Sequence, residues 1–121
     1  MTGNHIFNKV WGTTQKIFEQ NGVQIHRITA KKGGYSSTHK HEYRFNMFYV
    51  EKGKLKILVK KNDYDLVDET IIADGQSTVA KPNEWHSFLA MEDTVAYEIY
   101  YGNVSDSDIV RENCGGVKNG K

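Results

Sequence analysis

Only one cysteine, Cys114, occurs among the 121 residues. An internal disulfide is therefore impossible, and the Gly-rich stretch around it, NCGGVKNGK, points to a mobile end rather than a catalytic thiol. No apolar run approaches the roughly 20 residues that cross a bilayer, and the opening MTGNHIFNKVWG has no apolar stretch of the kind a signal peptide needs. A cytoplasmic location, away from membranes, is the expectation. A surplus of one charge is missing too: sixteen Lys and Arg stand against fifteen Asp and Glu. Without a basic field, neither nucleic acid nor an anionic membrane is an expected partner. Apolar residues at helical spacing are almost absent before about residue 104, and there is no internal repeat and no linker.

What remains is an ordinary globular composition, 38% hydrophobic and 26% charged, in a length that suits one domain stable without disulfides. The expected domain is residues 1–121, with its core over about 10–112 and a flexible tail over 113–121. Short strands follow one another between turn signals. VQIHRITA (23–30) is rich in β-branched residues, GG at 33–34 breaks the chain, and FNMFYVE (45–51) is aromatic and apolar. In GKLKILVKK (53–61), Leu55, Ile57 and Val59 alternate against lysines, which puts one face in the core and one in water. YDLVDETIIADG (64–75) ends in an Asp-Gly turn, STVAKPNEWHSFLA (77–90) carries a Pro-Asn turn, and DTVAYEIYYG (93–102) reads as a last buried strand. Turns every eight to twelve residues or so predict an all-β sandwich or barrel. The Asp-rich start of SDSDIVRE (105–112) predicts a cap for one short helical turn.

Three of the five histidines carry the chemical signal. His39 and His41 are two apart, so on a strand both imidazoles project from one side. His86 follows a turn about 45 residues later, far enough for antiparallel strands to return it beside that pair. Three imidazoles suffice to hold one divalent ion (zinc, nickel, iron or manganese) and leave positions open for substrate. A bare HxH more often marks surface or satisfied core histidines, and spacing by itself leaves both readings open. His26 shares its strand face with Ile28 and Ala30 and is read as structural, and His5 is assigned nothing.

The surrounding pattern resembles the cupin superfamily. Five residues separate Gly33 from His39-Lys40-His41, four more lead to Asn46 and six to Gly53, which is similar to the first cupin motif. Gly75, Lys81-Pro82-Asn83-Glu84-Trp85 and His86 resemble the second, with Asn83 where a glycine is usual. Asn tolerates a left-handed turn best after glycine. The resemblance implies a double-stranded β-helix (jelly-roll) barrel with a metal on His39, His41 and His86. Asn46 stands where the family usually has a glutamate ligand, and a neutral amide oxygen is a poorer donor than a carboxylate. Glu42 alternates away from the histidine face and is expected in solvent unless the strand bulges.

Three further segments resemble the cupin domain of type II mannose-6-phosphate isomerases, often fused to a mannose-1-phosphate guanylyltransferase. Val10-Trp11-Gly12 is similar to its opening Pro-Trp-Gly, VQIHRITAKKGGYSSTHKHEYRFNMFYVEKG follows its central segment without a gap, and SDIVREN resembles its closing Asp-Asp-Ile-Val-Arg. In that family the positions matching His39, His41, Asn46 and His86 would be Gln, His, Glu and His. The resemblance implies Arg44 and Asn46 as substrate-binding residues, Glu98 as the catalytic carboxylate and a sugar phosphate as the small-molecule ligand. A homodimer follows from the family's habit and from strand edges that want covering. Trp11 and Trp85 are expected to pack, and Tyr97, Tyr100 and Tyr101 cannot all face one cavity because their rings alternate.

Three functions are consistent with these residues. The first is an isomerase or epimerase of a sugar phosphate or nucleotide sugar, with Glu98 moving the proton. The second is a three-histidine iron dioxygenase, suggested by the neutral ligand set. The third is a non-catalytic accessory cupin that binds a small sugar, suggested by the short chain.

Overall fold

The structure is a computed structural model that describes residues 5–60, 66–102 and 107–118. Thirteen strands follow one another: β1 (Ile6–Lys9), β2 (Gly12–Gln20), β3 (Val23–Ala30), β4 (Gly34–Tyr35), β5 (His39–Lys40), β6 (Arg44–Lys52), β7 (Lys54–Lys60), β8 (Val67–Ala73), β9 (Ser77–Ala80), β10 (His86–Ala90), β11 (Thr94–Gly102), β12 (Val110–Arg111) and β13 (Gly116–Val117). One sheet runs β1-β2-β3-β11-β6-β9. In the other, β10 pairs with β7 on one side and with β4 and β5 on the opposite side. Its margins are β8 beyond β7, β12 beyond β5 and β13 beyond β4. Every pairing is antiparallel, and the two sheets pack face to face as a jelly-roll-like sandwich.

Strand alternation divides each side chain between core and solvent. Leu55 and Ile57 are buried, as their alternation predicts, and close on Ile28, Phe48, Val50, Ile72, Phe88, Ala90 and Ala96. Phe88 meets the Trp11 indole edge-on at 5.0 Å and the Phe48 ring at 6.3 Å. Burying an aromatic ring of this size contributes about 1.5–3 kcal/mol.

Three adjacent strands change character at the same level, and this places the site. The inward positions of β3 read Ala30, Ile28, His26, Gln24; those of β11 read Ala96, Glu98, Tyr100; those of β6 read Val50, Phe48, Asn46, Arg44. The ladder pairs Ala96 with Ile28 and Val50, Glu98 with His26 and Phe48, and Tyr100 with Gln24 and Asn46. One end of the sandwich is thus an apolar core, and the other is lined by polar groups.

Two turns show why their residues are where they are. Asn21 and Gly22 both have positive φ (54° and 76°), which is the hairpin turn whose twist matches the strands it joins. The hairpin they close, β2 with β3, and the leading strand β1 were not anticipated from the pattern, although Asn-Gly is a strong signal. Asn83 has φ 67°, the left-handed conformation that the Pro-Asn turn requires.

The helical turn expected over 105–112 is a correction. Residues 105 and 106 lie outside the described set, and from Ser107 onward the segment holds no helix; Val110–Arg111 instead pairs with β5. The Asp108 carboxylate accepts from the backbone N–H groups of Glu42 (2.7 Å) and Tyr43 (3.1 Å), so it caps a loop remote in sequence rather than a local helix. Of the tail expected to be mobile, residues 113–118 run along β4. Asn113 Oδ1 accepts from Thr38 N–H at 2.7 Å, Gly116 and Val117 pair with Tyr35 and Gly34, and Lys118 N–H donates to Gly33 O at 2.7 Å. Residues 119–121 lie outside the described set.

Candidate metal and ligand site

His39 is the first residue of β5, His41 follows it directly, and His86 opens β10, where the ladder sets it opposite His39. All three are buried. Their ring centroids lie 5.0 Å (His39–His41), 4.5 Å (His39–His86) and 5.3 Å (His41–His86) apart. One ligand nitrogen from each falls within 4.8 Å of the others. The expected convergence is therefore present, although the strand carrying His39 is only two residues long and His41 lies just past it.

Each ring is latched by a main-chain carbonyl. Nδ1 of His39 lies 2.9 Å from Ser37 O, Nδ1 of His41 lies 2.7 Å from Asp108 O, and Nδ1 of His86 lies 2.9 Å from Glu84 O. A carbonyl oxygen only accepts, so each Nδ1 carries the hydrogen and each Nε2 is left with a lone pair. This is the second-shell arrangement that fixes a metal-binding tautomer. Burial pushes all three pKa values down, to about 3 for His39 and about 4 for His41. The neighbouring imidazoles add to the effect at His39, while at His41 and His86 the carbonyl bond partly opposes it. The rings are neutral at pH 7, the form that ligates.

The donor set fits a divalent ion. His41 Nε2 is buried without a hydrogen-bond partner, which is costly unless something accepts its lone pair. His86 Nε2 faces Asn46 Oδ1 at 3.2 Å, two acceptors that an ion between them would reconcile. Nitrogens about 2.1 Å from one ion are at most about 4.2 Å apart, so a small inward movement of the rings closes the set.

Beside the histidines opens a cavity of about 410 Å³. Arg44, Asn46 and Glu98, the other residues singled out in the sequence, are all buried and turned inward. Glu98 Oε2 accepts from Tyr100 Oη at 2.8 Å, and burial raises its pKa, against the pull of Tyr100, Arg44 and Asn46. The Arg44 guanidinium sits over the Tyr100 ring, 4.0 Å from its centroid. Burial, with Glu98 beside it, pushes the Tyr100 phenol well up.

Glu42 is exposed, as expected. Of the three tyrosines only Tyr100 turns inward; Tyr97 bonds outward to Glu51 at 2.6 Å, and Tyr101 stacks on Phe45. Trp11 packs in the core and also borders the cavity, while Trp85 lies under the Lys40 ammonium. Gln24 and His26 were missed as cavity residues. His26 lies edge-on to Tyr100 at 5.3 Å and 3.2 Å from Gln24 Oε1. The signal was their period of two with Ile28, which continues the inward face past the apolar core.

A jelly-roll-like sandwich with a histidine cluster at one polar end defines a cupin, and the comparisons agree. Residues 26–100 match the family model described as Cupin domain, and the chain belongs to that family. No curated protein sequence matches it. Among solved structures, KdgF from Halomonas sp. is similar with TM-score 0.72 and 14% identity over 84% of this chain and 91% of that one. The capsular polysaccharide assembling protein CapF from Staphylococcus aureus gives 0.77 and 16% over 91% of this chain and 32% of that one. Oxalate decarboxylase from Bacillus subtilis gives 0.76 and 13% over 90% and 30%. The chain thus spans about a third of the last two, and at these identities the likeness speaks for fold. None of the three is a mannose-6-phosphate isomerase, so that finer resemblance rests on sequence motifs alone.

Proposed function

We propose that this cupin binds one divalent metal ion and isomerises or epimerises a sugar phosphate or nucleotide sugar. The observation that carries the reading is a cluster of three neutral histidines that reaches, through His39, a cavity of about 410 Å³ also lined by a buried, proton-hungry carboxylate, Glu98. That volume lies within the roughly 300–1,000 Å³ of small-molecule sites.

When bound, the metal supplies a Lewis acid for the substrate's carbonyl and hydroxyl oxygens. In isomerisation Glu98 takes the proton from the carbon beside the carbonyl and returns it to the carbonyl carbon, while the hydroxyl proton on the deprotonated carbon passes to the carbonyl oxygen. In epimerisation the proton goes back to the carbon it left, and the raised pKa of Glu98 suits either task. Tyr100 orients that carboxylate through its hydroxyl. Arg44 and Asn46 hold the substrate's polar groups from β6. The edge strand β1, with Ile6 and Phe7 exposed, supports a homodimer, which sedimentation would establish.

The test is elemental analysis of the purified protein followed by proton exchange from D₂O into hexose phosphates and nucleotide sugars. One ion per chain is expected, with exchange reduced at least ~100-fold by Glu98→Gln. Absence of exchange into every substrate with metal-loaded protein would overturn the reading. One observation favours a second reading, an iron dioxygenase: the side chain beside His86 is the neutral Asn46 rather than a carboxylate. Oxygen uptake by iron-loaded protein would select it, and zinc or nickel content without uptake would remove it.

A further inference from the structure

Arg111 belongs to the closing SDIVREN segment and has no part in the chemistry above. It lies on β12, directly across the ladder from His39, and borders the cavity. Lys9, the last residue of β1, reaches the same cavity from the other end of the chain. Both are exposed, so they stand at the mouth, whereas Arg44 lies inside.

The charges around this cavity do not balance. Its lining holds three cations, Lys9, Arg44 and Arg111, against one carboxylate, Glu98, and a divalent ion on the histidines would add two more positive charges. Glu98 is already engaged by Tyr100. Elsewhere on the surface lysines have found carboxylates, as in Lys60–Glu112 at 2.7 Å, Lys16–Glu19 at 2.9 Å and Lys56–Glu69 at 3.8 Å. Among the described residues, no carboxylate lies within ion-pair distance of Lys9 or Arg111. Their charges are nevertheless felt inside: Arg111 lowers the pKa of His39 and Tyr100, and Lys9 that of Glu98.

We infer that Arg111 and Lys9 form a clamp at the cavity mouth for the phosphate group of a phosphate monoester. A dianion suits two mouth cations that have no carboxylate partner among the described residues, and a guanidinium presents paired donors to phosphate oxygens. The clamp deepens the sugar-phosphate reading and rests on it for the rest of the ligand.

The test titrates zinc-loaded, full-length protein with inorganic phosphate, mannose 6-phosphate and mannose at low ionic strength, followed by calorimetry, with zinc content measured for every variant. Phosphate and mannose 6-phosphate should bind more tightly than mannose. Arg111→Ala should weaken both at least ~10-fold and Lys9→Ala ~3-fold, with Arg111→Lys intermediate and zinc content unchanged. Lys56→Ala, remote from the cavity, should change nothing. Arg111→Gln, checked for folding by circular dichroism, repeats the measurement should the alanine variant misfold. Undiminished phosphate binding in zinc-replete, folded Arg111→Ala or Arg111→Gln protein would overturn the clamp, as would no phosphate binding by the unaltered protein. Arg111-dependent binding without any proton exchange would keep the clamp and remove the isomerase.

Discussion

Acidifying the metal-free protein tests the histidine cluster through its thermodynamics. In the unfolded chain a histidine takes up a proton near pH 6.5, whereas in the folded protein burial holds His39 back to about pH 3 and His41 to about pH 4. Between those values the unfolded state binds protons that the folded state refuses, so stability is complete above pH 6.5 and falls as the pH is lowered. Each such histidine costs at most about 1.4 kcal/mol per pH unit. From pH 7 to pH 5, His39 and His41 each remove about 2 kcal/mol, together about 4 kcal/mol. His86 acts in the same direction. Glu98 opposes them, because its raised pKa lets the folded protein hold a proton that the unfolded chain has released. A loss of about 4 kcal/mol is a large share of the 5–15 kcal/mol of an ordinary domain. Urea unfolding at pH 7, 6 and 5, read by tryptophan fluorescence after chelation, measures it, with Glu98→Gln as background to remove the opposing carboxylate. His39→Gln should remove about 2 kcal/mol of the loss between pH 7 and pH 5, and added zinc should restore stability at pH 6 by engaging the lone pairs. A midpoint that stays constant from pH 7 to pH 5 would refute buried, neutral imidazoles.

Other expectations follow from particular contacts. Phe88→Ala empties the space against Trp11 and Phe48 and should cost about 3–5 kcal/mol in chemical unfolding. At Asn83, whose φ is positive, Gly should be neutral or slightly stabilising while Val costs about 1–2 kcal/mol, read from the same curves. Asn46→Asp puts a carboxylate beside His86 and near Glu98: metal affinity measured by chelator competition should rise at least ~10-fold, and the metal-free protein should lose stability.

The strands most easily foreseen were those whose partners impose a clear rule on side-chain order. Leu55, Ile57 and Val59 alternate because one face of β7 is in the core, and the glycine and histidine spacings carried the cluster. Arg44, Asn46 and Glu98 proved inward-facing because they sit at even steps from Phe48 and Ala96. What stayed hidden were partnerships made across long separations. Nothing local in SDIVREN distinguishes an aspartate capping its own helix from one capping Glu42 and Tyr43, 66 and 65 residues away. Likewise the Gly-rich stretch around Cys114 has little side-chain pattern to read, and its strand exists because Gly34 and Tyr35 offer free backbone groups. His26 was read as structural because one strand alone shows its apolar neighbours but not Glu98 and Tyr100 opposite.

The three carbonyls that hold the imidazoles belong to Ser37, Glu84 and Asp108, spread over most of the chain. A ribosome delivers the third of them only after all three histidines have been made. A nascent chain carrying His39, His41 and even His86 therefore has no finished cage to offer, and ions met early are free to leave. Loading belongs to a chain that already includes Asp108, and one cut short before it should fold poorly around any ion it meets.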